Sequence, residues 1–159
     1  MDVELSKIIY EVHQKPQFER YECTLIKNNT NCYSHAIGST AGYIEKYRIG
    51  ALCKSKPIDQ EYFSVDEIKK ILFSDCEAIG LKIEETNFDE ELKENEYKVM
   101  LFVKIYADNK IHDYHFWRSE DGKVWTEKWR WRSMQVKDYQ KDFLRYFPWN
   151  YVGMYKISR

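Results

Sequence analysis

The sequence predicts an α+β fold in which N-terminal helices, one of them opening with Cys32, pack on an antiparallel sheet. Three observations lead to this class. The length of 159 residues suits a single domain, residues 1–159. Helical patterns are confined to the first half of the chain, and from Lys98 onward β-branched and aromatic runs alternate with turn signals. Helices followed by consecutive strands are typical of α+β proteins.

The first elements are short. Residues 2–13 carry a rough apolar stripe, which predicts a short amphipathic helix that Pro16 ends. Tyr21–Ile26 predicts a short strand, and Asn28–Asn31 predicts a polar loop.

Two further helices have recognisable starts. The Asn31 side chain can accept a backbone N–H of the first helical turn, so a helix is expected to begin at Cys32. Ser64 and Glu67 form a capping box for a helix over Ser64–Ile79, and Gly80 stands where a C-terminal glycine belongs.

The second half of the chain predicts a meander of antiparallel strands. Lys98–Ala107 is β-branched and aromatic, and an Asn-Lys turn separates it from the alternating run Ile111–Ser119. The segment "EDGK" then predicts a two-residue hairpin turn before Val124–Trp131. Tyr151–Ser158 is expected to be the last strand.

The charge is nearly balanced overall but uneven along the chain. The formal net charge is −1, which gives no global electrostatic case for nucleic acid. Glu84–Glu96, expected to be a loop, holds seven acidic residues and one lysine, whereas Lys123–Arg159 holds nine basic and three acidic residues. We expect the acidic segment and the basic end to meet each other.

The sequence predicts a cytoplasmic protein, with delivery into a host cell as the alternative. No apolar run reaches membrane-spanning length, and the first residues are too charged for a signal peptide. In a reducing compartment the four cysteines are expected to be free thiols, of which Cys23, Cys53 and Cys76 are structural. No metal or other cofactor is predicted, because the cysteines and histidines lack the short paired spacing of zinc sites. The oligomeric state stays open.

Cys32 is the candidate nucleophile. A thiol reacts as thiolate, and its ordinary pKa of about 8.5 falls at a helix N-terminus or beside a histidine that holds the proton. The backbone N–H of Cys32 would point at a developing oxyanion, and a side-chain amide from Asn29 or Asn31 would complete that hole.

Three histidines compete for the role of base. His35 lies near Cys32 on the same helix and is expected to pack, while His112 and His115 point to opposite sides of one strand. The alternation of side chains along the strand does not decide whether the base is His115 or His112, which is expected to be a surface histidine.

A third polar residue, which would orient the imidazole, favours His115 as the base. Pairing across a two-residue turn puts Phe116 opposite Glu127, one position from His115, and a bulge or a longer loop would bring that pair together. Glu127 is therefore the expected orienting group of His115, with Asp138 in reserve.

These residues resemble a group of bacterial and phage papain-like proteins. In that group a helix opens with Asn-Cys-Tyr, and a later strand carries Asp-Tyr-His followed by two aromatic residues and Arg, as in "NCYSHAIG" and "DYHFWR" here. The resemblance covers about half of the chain. It implies a single papain-like domain similar to NlpC-type and CHAP-type amidases. In NlpC-type enzymes the third polar residue follows the histidine by about a dozen positions, where Glu127 stands here.

The resemblance also implies an activity: hydrolysis or transfer at an amide or thioester bond of a protein or peptide, as in a protease, isopeptidase, deamidase or amidase. Two departures qualify it. The group often has histidine at the position of Glu127, but both residues accept a hydrogen bond. It has Pro-Gly where this chain has Trp129-Arg130, so no substrate preference is implied.

Two other functions remain open from the sequence. The same fold could serve as a catalytically silent binding or inhibitor module. The run "WTEKWRWRSMQ" in the basic C-terminal third could stack bases and hold phosphates. Its alternation also fits an amphipathic strand, with Trp125, Glu127 and Trp129 on the less exposed side and Lys128 on the other. Nucleic acid is therefore not the expected partner.

Overall fold

A computed structural model describes residues 30–38, 48–53, 64–107, 109–129, 135–137, 139–143 and 149–158. It shows an α+β architecture, as predicted. Within these residues the helical elements are a π-helical segment, π1, at Ser34–Gly38, and two α-helices, α1 at Val65–Ala78 and α2 at Tyr139–Asp142. The strands are β1 at Lys82–Glu85, β2 at Glu96–Ile105, β3 at Ile111–Ser119, β4 at Trp125–Glu127, β5 at Gln135–Lys137 and β6 at Asn150–Ser158. The expected helix over residues 2–13 and the strand Tyr21–Ile26 lie outside the described residues.

Helix α1 forms where its local signals predict it. The Ser64 hydroxyl accepts the Glu67 N–H and the Glu67 carboxylate accepts the Ser64 N–H, which completes the capping box. Gly80 has φ of 77°, a left-handed conformation that suits glycine, and its N–H donates to the Glu77 carbonyl. The prediction of this helix is confirmed.

The six strands form one antiparallel sheet in the order β1-β6-β2-β3-β4-β5. The predicted meander is wrong in two respects. The last strand of the chain inserts between β1 and β2, and β1 itself lies at the start of the acidic segment that was expected to be loop. The predicted meeting of acidic segment and basic end is confirmed, because the Lys156 ammonium on β6 pairs with Glu84 and Glu90.

Each face of the sheet carries its own apolar cluster. On the first, which we call the helical face, π1 and α1 pack against side chains of β2, β3 and β6 that include Val99, Tyr114 and Phe116. On the second, which we call the aromatic face, the buried residues are Met100, Phe102, Trp117, Trp125 and Met154. The sheet is therefore buried on both sides, and any site must lie at an edge or an end.

The β3–β4 connection is longer than predicted. The Asp121 carboxylate accepts the backbone N–H groups of Lys123 and Val124, and Gly122 has φ of 76°. These contacts make a five-residue loop instead of a two-residue turn, so Trp117 pairs with Glu127. The expected pairing of Phe116 with Glu127 is wrong by one residue, and the observed register puts Glu127 on the same face as His115.

Among the residues that the structure describes, no helix has the length and apolar character needed to cross a membrane.

Candidate functional site

A cavity of about 210 Å³ lies at the edge of β3, just beyond the end of β4. Strand β4 pairs with β3 only at Trp117 and Arg118, so in the described ranges no strand lies beside the preceding part of that edge. The segment that leads into π1 fills part of this gap, because Cys32 contacts the β3 backbone there. The cavity lining is Asn31, Cys32, Arg48, Asp113, Tyr114, His115, Lys128 and Trp129.

The start of the helix places Cys32 at this edge. The Asn31 side-chain oxygen accepts the Ser34 N–H at 2.8 Å, and the Asn31 carbonyl accepts the His35 N–H at 2.9 Å. Asn31 is therefore the helix cap that the sequence predicted. The Cys32 sulfur lies 4.0 Å from the Tyr114 carbonyl oxygen, in contact with the backbone edge of β3.

Two contacts attach π1 to the sheet. The buried Arg118 guanidinium donates to the His35 carbonyl at 2.9 Å and lies 3.8 Å from the Tyr97 ring centroid. Thr126 donates its hydroxyl proton to the Arg118 carbonyl, so His35 must donate its Nε2 proton to the Thr126 oxygen, 3.0 Å away. His35 is therefore the packed histidine expected from the sequence and lies away from the cavity lining.

A third anchor comes from Asp75 on α1, which the sequence analysis did not identify. Its buried carboxylate accepts the Tyr33 hydroxyl at 2.5 Å, the Gly50 N–H at 2.6 Å and the Cys53 N–H at 2.8 Å. The Asp75 carboxylate thus holds both Tyr33, the neighbour of Cys32, and the loop of residues 48–53.

His115 is buried on the aromatic face, the face that Trp117 shares by strand alternation. Its Nε2 lies 3.0 Å from Glu127 Oε2, and Trp129 stacks on its ring with centroids 3.8 Å apart. An ionised carboxylate only accepts hydrogen bonds, so the neutral imidazole carries its proton on Nε2 and its lone pair on Nδ1. That tautomer is the one a base needs if Glu127 orients it.

Three donors converge on the Glu127 carboxylate. Besides His115, the Trp117 indole donates to Oε2 at 3.2 Å, and the Lys137 ammonium lies 3.1 Å from Oε1. The carboxylate is almost fully buried, so these contacts fix its position as well as that of the imidazole.

The electrostatics of the cavity differ from the sequence-based expectation at Cys32. Burial, and then the negative charge of Asp113, raise the pKa of the Cys32 thiol to about 12, although backbone hydrogen bonds from Phe116 and Tyr33 act in the opposite direction. The expected lowering by the helix start is therefore wrong, because burial and the charge of Asp113 outweigh it. Burial also lowers the pKa of His115, against the opposing effect of Glu127. The resting pair at neutral pH is a neutral thiol and a neutral imidazole.

The sequence-predicted residues fall into two groups. Cys32, His115 and Asn31 line one cavity, and Glu127 bonds to His115 from behind. Asn29 and Asp138 lie outside the described residues, as does the side chain of His112. Cys53 and Cys76 are free cysteines.

Sequence reasoning missed several lining residues, and it misplaced Lys128, which is buried instead of facing solvent. Its ammonium donates to the Thr30 carbonyl at 3.2 Å. No sequence pattern pointed to Arg48. Asp113 could have been found from its position next to the Tyr-His pair.

Comparisons with protein-family models, with curated proteins and with solved structures found no match. Within the described residues, no three cysteine, histidine or acidic side chains come together as metal ligands. The chemistry of the cavity is therefore inferred from its own residues.

Proposed function

We propose that this protein is a papain-like cysteine hydrolase that cleaves an amide or thioester bond in a protein or peptide. The observation that supports it most is the shared cavity of Cys32 and His115, with Glu127 on the far nitrogen of the imidazole. A thiol, a base and an orienting acceptor in this order are the parts of a nucleophilic triad. The proposed place of action is cytoplasmic.

The proposed reaction begins with both groups neutral. His115 Nδ1 takes the Cys32 thiol proton as the sulfur bonds to the substrate carbonyl carbon, and Glu127 stabilises the imidazolium that forms. The tetrahedral intermediate expels the amine or thiol, which takes the proton from His115. Water then attacks the resulting thioester, gives a proton to His115 and releases the acid, and the proton returns to the Cys32 sulfur.

The oxyanion donors of this proposal are the Cys32 backbone N–H and the Asn31 side chain. The amide oxygen of Asn31 is committed to the Ser34 N–H, so an oxyanion would bind at its NH₂ end, which belongs to a residue lining the cavity. Asn29 remains the alternative proposed from the sequence.

Alkylation of Cys32 by iodoacetamide, with mapping of the modified cysteines, tests the coupling. In the wild type, proton transfer to His115 should give a rate that depends little on pH between about 7 and 9. In His115→Ala only the small thiolate fraction can react, because burial raises the pKa of the thiol to about 12. The rate should therefore fall by about 100-fold at neutral pH and rise about tenfold for each pH unit.

Cys53 supplies the matched control. Cys53→Ala should leave Cys32 labelling unchanged, and Cys32→Ala should remove that adduct while the circular dichroism spectrum stays that of the wild type. Equal Cys32 labelling rates in the wild type and in His115→Ala would contradict the proposal.

One observation favours a second candidate, a catalytically silent binding or inhibitor module on the same fold. The raised pKa of the Cys32 thiol makes it a poor nucleophile unless His115 takes its proton. Equal labelling rates in the experiment above would support this alternative. The nucleic-acid hypothesis loses support because Lys128, part of its expected basic side, is buried.

A further inference from the structure

Trp129 gives the cavity beside Cys32 an aromatic wall, the name used below for its indole ring. Trp129 follows β4 closely in the chain and lines the same cavity as Cys32 and His115. It is half-buried, so part of its surface is open to solvent. The other aromatic residue of the lining, Tyr114, is buried, and its hydroxyl accepts the Ile49 N–H at 3.0 Å. Trp129 therefore supplies the aromatic surface that a substrate can cover.

The aromatic wall is held next to the imidazole. The Trp129 ring stacks on the His115 ring with centroids 3.8 Å apart and an interplanar angle of 12°. Trp149, which comes from a distant part of the chain, packs against Trp129 with centroids 5.9 Å apart. Glu127 fixes His115 in turn, through the hydrogen bond at 3.0 Å. A group that rests on the aromatic wall therefore lies beside the base of the proposed reaction.

Three polar side chains of the lining already have partners in the protein. The Asn31 oxygen accepts the Ser34 N–H, and the Lys128 ammonium donates to the Thr30 carbonyl. The Asp113 carboxylate accepts the backbone N–H of the next residue at 2.8 Å. The aromatic wall differs from these groups, because covering its exposed surface removes apolar area from water and breaks no hydrogen bond.

We infer that the cavity selects substrates that carry an aromatic side chain next to the reacting bond, and that Trp129 determines this specificity. This inference rests on the proposed function and names its substrate class. Two packed aromatic rings gain more than their buried area alone provides. The cavity, at about 210 Å³, is smaller than the pockets of about 300–1,000 Å³ that hold drug-sized ligands, so it suits a single side chain.

Two neutral alkylating reagents test the inference. Iodoacetanilide is iodoacetamide with a phenyl ring on the amide nitrogen. Its ring is as many bonds from the carbon that sulfur attacks as the ring of a phenylalanyl group is from its carbonyl carbon. The readout is the rate constant of iodoacetanilide at Cys32 divided by that of iodoacetamide, relative to the same ratio for 2-mercaptoethanol. A change in thiol reactivity affects both reagents alike, so the relative ratio reports recognition of the ring.

In the wild type the relative ratio at Cys32 should exceed one. In Trp129→Leu it should fall by roughly three- to tenfold, because the ring-to-ring contact is lost although the cavity becomes larger. Trp129→Phe keeps an aromatic ring and should retain most of the wild-type ratio. Phe88→Leu is the matched control: it removes an exposed ring that packs on Trp125 and does not line the cavity, and it should leave the ratio unchanged.

Each other outcome is informative. A relative ratio of one or less in the wild type, which needs no variant, overturns the inference and leaves the proposed function standing. A ratio that Trp129→Leu raises or leaves unchanged overturns it as well, since the indole then excludes the ring or ignores it. So does an equal fall in Phe88→Leu. Absence of Cys32 labelling by either reagent overturns both proposals, whereas equal labelling rates in the wild type and in His115→Ala contradict the proposed function whatever the ratio.

Discussion

Glu127 is the residue on which the behaviour of His115 depends most directly. The imidazole is buried, which lowers its pKa, and the hydrogen bond and charge of Glu127 oppose that effect. Glu127 therefore supports the imidazolium that the proposed reaction needs. Trp129 stacks on the ring and Trp117 donates to the same carboxylate oxygen, so little freedom remains for either partner.

Glu127→Gln should lower the pKa of His115 further, because the variant removes the negative charge that raises it. The loss of Cys32 labelling on acidification would then occur at a lower pH than in the wild type. At neutral pH, labelling should slow by at least about tenfold, since the imidazolium is less stabilised. A histidine titration by NMR, together with the labelling profile, measures both effects. An upward shift of the His115 pKa would contradict the assigned role.

At the scale of elements, α1 supports the site through Asp75. This carboxylate joins three separate pieces of the chain: the helix itself, Tyr33 beside Cys32, and the loop that carries Arg48. Buried carboxylates are tolerated only where donors replace lost water. The three donors satisfy that condition and order the segments around the cavity.

Asp75→Asn should reduce the free energy of unfolding by about 2–4 kcal/mol, because the amide presents donors of its own to the donors around it. Asp66→Asn, an exposed change in the first turn of the same helix, should cost within about 0.5 kcal/mol. Urea unfolding measures both. If the two variants prove equally stable, Asp75 does not organise these segments.

The elements that could be predicted from the sequence have local causes. The capping box of Ser64 and the Asn31 cap depend on neighbours within three residues, and β2, β3 and β6 are long and apolar. The β3–β4 register depended instead on Asp121, whose side chain bonds two backbone N–H groups and lengthens the loop. Short strands such as β1, with four residues, carry too little pattern to recognise.

The residues of the candidate site divide in the same way, into those with a local sequence signal and those placed by contacts between distant segments. Cys32, His115 and Glu127 were identified because residue type and motif spacing carry their signal. Arg48 and Lys128 reach the cavity, and Asp75 supports it, through contacts between distant segments, such as the bond from Lys128 to Thr30. Burial also reversed the expected direction of the Cys32 pKa shift, and burial follows from packing that the sequence does not display.

At the scale of the whole molecule, Lys156 joins the acidic segment to the sheet. Its ammonium pairs with Glu84 at 2.9 Å and with Glu90, while Lys98 donates to the Phe88 and Glu90 carbonyls. These contacts tie the segment after β1 to β2 and β6. The uneven charge of the chain is therefore neutralised across the sheet by specific pairs.

Stability should depend on pH through this junction. Hydrogen bonds from Lys156 lower the pKa of Glu84 and Glu90 in the folded state. A lowered carboxyl pKa contributes stability above the ordinary value of 4.5, and the contribution is lost as the pH falls below it. Lys156→Met should therefore flatten the decline in unfolding free energy on acidification, as measured by urea unfolding. As a control, Lys123→Met, an exposed change in the β3–β4 loop, should keep the wild-type dependence of unfolding free energy on pH. If the two variants show the same pH dependence, Lys156 is not the source of this effect.

The early end of β4 has a consequence for any attempt to stabilise this protein. Three more regular residues on that strand would bring it opposite Phe116 and Tyr114 and displace the sulfur that now contacts the Tyr114 carbonyl. The lengthened sheet should be more stable, and the thiol would lose its place in the cavity that His115 also lines. A longer β4 would thus stabilise the sheet and close the cavity at the same edge.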